Sequence, residues 1–185
     1  MRFPHLLGLS LCLFLGGLTG VPAQAKTQRP QSMEALVTPA LKAVQKGDVK
    51  AYQRLSYAPS DGVRLCPKFA KTRGWEAGSP KLGGFDKHLK TRTREAIKSC
   101  ASLGDWTRAE LIHIKGGVTE QRIPICEKST AYRVQEVKAL FRLGTTHVEV
   151  TLRHPGKING AYGFMNPPVC RTVVGRDASW LTVLA

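Results

Sequence analysis

The sequence predicts an α+β domain in which helices packed at the N-terminal side meet a curved antiparallel sheet, stapled by two disulfides. Three observations carry this. Apolar residues recur at helical spacing in the first half and alternate in the second. No β-α-β alternation occurs, which argues against a dinucleotide-binding sheet. Four cysteines outside the leader suit two bridges in an exported chain.

The leader comes first. Arg2 precedes an apolar run from Leu6 to Leu18, and Ala23-Gln24-Ala25 places small residues before Lys26. This is the pattern of a cleaved secretory signal over residues 1–25. The run is shorter than the roughly 20 residues a spanning helix needs. Loss of the leader from 185 residues leaves 160, and loss of Arg2 takes the formal charge from +15 to +14. A chain of 160 residues, 26–185, forms one domain with one core. The expected product is soluble, without a membrane span, and periplasmic or extracellular.

Behind Ser32, a good N-cap, Met33, Leu36, Val37, Ala40, Leu41 and Val44 form one helical stripe. Pro39 should kink it or delay its start. Gly47 ends this helix, and Asp48 caps a short second one through Leu55. Residues 58–84 are dense in Pro and Gly and read as irregular, pinned by Cys66. Phe85 to Ser102 reads as a third helix with a basic outer face.

The period then changes. Alternation from Ala109 to Ile114 marks a strand, and Gly116-Gly117 a tight hairpin leading into Val118–Cys126. Tyr132–Leu143 is read as one strand, His147–Leu152 as another, Pro155-Gly156 as a turn, and Ile158–Met165 and Val169–Val174 as the last two strands. For the cysteines, Cys66–Cys100 with Cys126–Cys170 is favoured, because each bridge closes one half of the chain. A zinc site is disfavoured by gaps of 34, 26 and 44 residues between cysteines. No metal and no cofactor is expected.

The stretch Ala40-Leu-Lys-Ala-Val-Gln-Lys-Gly-Asp-Val-Lys-Ala-Tyr-Gln-Arg-Leu55 resembles the opening of cystatin-like domains of the nuclear-transport-factor-two type. Val148 to Phe164 is similar to their long paired strands. The resemblance implies a curved sheet wrapped around helices with a conical pocket, but no particular reaction. It implies a third reading of the protein, a pocket module for an apolar ligand or a protein partner.

No nucleophile elbow, zincin helix, phosphate-binding Gly-Lys loop or EF-hand is present. The enzyme alternative is a secreted nuclease-like hydrolase in which His113 and His147 act as general base and general acid on RNA. Asp105 with Glu110, and Glu136 with Glu149, are read as salt-bridge partners of the many cations rather than as acid–base pairs.

The main functional signal is charge. Ten cations against three acids lie between Arg64 and Lys98, a net +7 in 35 residues, with Phe69, Trp75 and Phe85 interleaved. Arg64, Lys68, Lys71, Arg73, Trp75, Lys87, Lys90, Arg92 and Arg94 are the candidate binding residues. Cations interleaved with rings suit an anionic polymer, a lipid headgroup or an acidic protein partner. The sequence therefore reads first as an exported, non-catalytic binding module with a basic surface.

Overall fold

The computed structural model describes residues 29–117, 119–122 and 130–174. The leader and Cys126 lie outside them. Five helices come first: α1 (Met33–Gln45), α2 (Val49–Arg54), α3 (Pro59–Leu65), α4 (Pro67–Thr72) and α5 (Pro80–Ala101). A 3-10 turn, Trp106–Arg108, leads to eight strands: β1 (Glu110–Gly116), β2 (Glu120–Arg122), β3 (Ala131–Val134), β4 (Val137–Leu143), β5 (Thr146–Leu152), β6 (Pro155–Ile158), β7 (Ala161–Phe164) and β8 (Val169–Val173). The α+β order is as the periodicity implies.

Local chemistry accounts for the helix ends. Ser32 accepts from the Ala35 N–H and starts α1. At its end the Gly47 and Asp48 N–H groups return to the Val44 and Ala43 carbonyls, a Schellman closure. Asp48 then caps α2 through the Ala51 N–H. Pro39 lies inside α1 without breaking it. Two expectations are corrected here. Residues 58–84 form an irregular run only over 73–79: Pro59 and Pro67 each begin a short helix, where a missing N–H costs nothing. Likewise α5 starts at Pro80, five residues before Phe85, with Ser79 accepting from the Leu82 N–H.

The strands form two antiparallel sheets, not one. Their orders are β1-β4-β5-β8 and β2-β3-β6-β7. Both arise from four arms, 110–122, 131–143, 146–158 and 161–173, each spanning thirteen residues. Every arm bends once and passes from one sheet to the other. The expected hairpin at Gly116-Gly117 is therefore such a bend: β1 pairs with β4 while β2 pairs with β3. Tyr132–Leu143 is likewise two strands, interrupted at Gln135-Glu136, and Pro155-Gly156 begins β6 rather than a turn. The β6–β7 connection is Asn159-Gly160, both at positive φ, a primed two-residue hairpin inside the stretch read as continuous strand.

The core joins α1, α2 and α5 to one face of the larger sheet. Leu36, Ala40 and Val44 pack with Ile97, Ala139, Phe141, Val148, Val150 and Leu152, all buried. Trp106 meets Phe141 edge-on at 5.5 Å and donates its indole N–H to the Cys100 carbonyl. Tyr52 stacks on Phe164 at 5.4 Å.

The favoured disulfide pairing is overturned. Cys100, at the end of α5, is bonded to Cys170 on β8, with 5.2 Å between the Cα atoms. Spacing along the chain carries no information about which helix end the last arm crosses, so it does not pair these two cysteines. This is the one disulfide whose two cysteines both fall among the described residues. Cys66 is buried and also oxidised.

Candidate functional site

Helix α5 carries the site. Its inward residues Leu82, Thr93, Ile97 and Cys100 are buried, and Thr93 returns its hydroxyl to the Leu89 carbonyl. Lys87, Lys90, Arg94 and Lys98 stand about a quarter-turn round the helix from these buried positions. They follow at i, i+3, i+7 and i+11, so they stand in one row. At 1.5 Å per residue the row is about 16 Å long. All four are exposed. None of the four has an ion-pair partner among the described residues.

The other candidate residues are dispersed. Lys81 and Arg92 project from α5 well away from that row, by helical phase. Arg64 is bonded to Asp61, 3.2 Å away, and Asp61 also accepts from Arg29 at 2.8 Å and from the Ala58 N–H. Lys68, Lys71 and Arg73 are exposed on and after α4. Trp75 is half-buried and packs on Phe85 at 4.9 Å. The aromatic pair thus ties the segment after α4 to the first turns of α5, and Phe85 remains 40% exposed.

Beside the row, a cavity of about 60 Å³ lies between the end of α2, the start of α3 and α5. Its walls include Tyr57, Pro59, Leu89 and Lys90, and Asp86 lies in it. Asp86 Oδ1 is buried and has no hydrogen-bond partner among the described residues. The neighbouring uncharged side-chain donors are directed elsewhere. Gln53 donates to the Lys90 carbonyl, Ser56 to the Tyr52 carbonyl and Tyr57 to the Ala161 carbonyl. Burial pushes the Tyr57 hydroxyl up, opposed by the Arg29 guanidinium 4.3 Å over its ring. It stays protonated and keeps its bond to Ala161.

The histidines of the enzyme reading sit on β1 and β5. His113 pairs with Leu140 and His147 with Arg142, so β4 runs between them. Two strand spacings and a two-residue offset put their Cα atoms about 12 Å apart. They are not brought together.

Asp105, Glu110, Glu120, Glu136 and Glu149 are engaged with cations or caps. Glu110 pairs with Arg142, and Asp105 caps the turn at Thr107, which holds its carboxyl below the usual range. Glu149 is 2% exposed and accepts from Arg171 Nε at 3.0 Å and Nη2 at 3.3 Å, with Lys138 at 3.8 Å. Glu120 accepts from Tyr162 at 2.7 Å and Lys157 at 3.1 Å. The Tyr162 hydrogen bond holds the Glu120 carboxyl low, with Lys157 adding to it.

A polar group that the sequence reading passes over stands where the arms bend. His154 has φ +48, and its Nδ1 lies 2.7 Å from Asn166 Nδ2. Its Nε2 is 3.8 Å from Glu136. Glu136, His154 and Asn166 belong to three different bends, so the group joins the corner of the fold. Among the described residues no cluster of three or more His, Cys, Asp or Glu is placed to hold a metal ion, and no helix is long and apolar enough to cross a membrane.

No protein-family model, curated protein or solved structure matches the chain.

Proposed function

We propose that this is an exported, non-catalytic binding module whose α5 surface holds an anionic polymer or headgroup of the envelope or extracellular space. The observation that carries the reading is the row Lys87, Lys90, Arg94 and Lys98: four exposed cations on a rigid helix without ion-pair partners among the described residues. A row of fixed positive charge binds polyanions by releasing counterions. The leader pattern and the Cys100–Cys170 bridge support an oxidising compartment, periplasmic or extracellular. The fold keeps two bridges in this reading, the second being Cys66–Cys126, the pair left among the four cysteines outside the leader. Non-reducing peptide mapping of the oxidised protein should recover a Cys66–Cys126 peptide; free Cys126 thiol would refute it.

Retention of residues 26–185 on heparin and on single-stranded RNA across a salt series tests the surface. Binding should weaken steeply with salt. The triple variant Lys87→Ala/Arg94→Ala/Lys98→Ala should reduce the log–log slope on RNA by about 2, since each lost contact removes about 0.7. An unchanged slope in the triple variant would place the contact elsewhere.

A further inference from the structure

The cavity beside the cationic row contains a carboxylate oxygen that no described residue satisfies. Asp86 Oδ1 is buried without a partner among the described residues, and the hydroxyl and amide donors around it are directed to Tyr52, Lys90 and Ala161 carbonyls. A buried carboxylate oxygen without a partner is costly, and a donor with positive charge relieves it best. The cavity, about 60 Å³, exceeds the roughly 10–15 Å³ that a single water needs. Its walls include Tyr57, Pro59 and Leu89, which suit methylene groups rather than a second charge.

A bare cation is a poor occupant. Lys90 lines the same cavity, and Lys87 and Arg94 stand in the row it belongs to. An ammonium group entering here must bring its own negative charge. Asp86 and Lys90 are one helical turn apart, with about 5–6 Å between their Cβ atoms. That spacing places an anionic acceptor, Asp86, and a cationic donor, Lys90, at the two ends of a short zwitterion.

We propose that the cavity binds a primary ammonium joined by a short alkyl linker to a phosphate, with the ammonium donating to Asp86 Oδ1 and the phosphate meeting Lys90 and Lys87. This rests on the reading of α5 as an anion-binding surface and names its ligand chemistry: an aminoalkyl phosphate, carried by a lipid headgroup or by a substituted polymer. A quaternary ammonium is excluded, since it has no N–H to give and three methyl groups to accommodate.

Titration of the oxidised protein with phosphoethanolamine, phosphocholine, ethanolamine and inorganic phosphate, followed by NMR shifts of the α5 amides, tests this. Phosphoethanolamine should bind at least tenfold more tightly than each of the other three. Asp86→Asn should abolish that margin while leaving the weak phosphate binding in place. Vesicles containing phosphatidylethanolamine then separate the sources: retention points to the lipid headgroup, and binding of the soluble compound alone points to a substituted polymer. Equal affinity for phosphoethanolamine and phosphocholine, or for phosphoethanolamine and phosphate, would overturn the proposal, and it needs no variant to fold. A tenfold margin that persists while RNA and heparin retention are absent would overturn the polyanion surface and keep the Asp86 pocket.

Discussion

His154 shows how a residue acquires its role from its place in the fold. A non-glycine residue at φ +48 is uncommon, and here three bends converge on it. Burial lowers its pKa from 6.5, chiefly by desolvating the charged ring, with Arg133 and Arg153 adding to this and Glu136 opposing it. The folded state therefore favours the neutral imidazole more than the unfolded chain does. The stability this contributes is complete above the unfolded value and is lost as the pH falls below about 6.5 towards the folded pKa. His154→Asn, which tolerates the left-handed backbone, should flatten the fall in Tm between pH 7 and pH 5. An unaltered pH profile would assign that fall to other groups. In sequence His154 is one histidine before a Pro-Gly pair and reads as a turn residue. Its partners Glu136 and Asn166 stand 18 and 12 positions away, beyond the reach of any local pattern.

Among the elements, the arms were harder to read than the helices. Stripes of period 3.6 are self-contained, and Ser32 and Asp48 mark their helices locally, whereas the short α3 and α4 and the first turns of α5 carry no stripe and read as irregular. A bend within an arm is marked only by what the neighbouring arm leaves room for. Gly116 is the clearest case. It has φ +93, and a Cβ there would stand about 2.0 Å from the Glu136 carbonyl oxygen. The glycine pair reads as a hairpin because hairpins use the same residues; the decisive contact is with the next arm. Gly116→Ala should cost about 3 kcal/mol or prevent folding, since both the backbone angle and the backbone contact oppose it. Gly62→Ala, in open space on α3, is the control and should be close to neutral or mildly stabilising. Chemical denaturation of the two variants measures the difference. The Asn159-Gly160 dipeptide, by contrast, is a hairpin signal legible in the sequence itself, inside the segment Ile158–Met165.

At the scale of the molecule, Cys100–Cys170 ties the last turn of α5 to the edge strand β8, across a separation of 70 residues. A loop of that length restricts the unfolded chain by about 4 kcal/mol in the entropy model. Cys100→Ser with Cys170→Ser should therefore lower the unfolding free energy by up to that amount, read by urea denaturation under oxidising conditions. A change below about 1 kcal/mol would mean that residual structure already holds these ends together in the unfolded state. The same bridge anchors the helix that bears the cationic row.

The α+β order, the Ser32 and Asp48 caps and the basic character of the segment from Arg64 to Lys98 are legible along the chain, because each depends on residues within a turn or two of one another. The tertiary structure alone shows that Arg64 is tied to Asp61, that Cys100 meets Cys170, and that Asp86 Oδ1 is buried in a cavity it shares with Lys90. The physical reason is range. Period, capping and charge density are local properties of the chain, whereas ion pairing, burial and bridge partners depend on which surfaces the bent arms and α5 bring together.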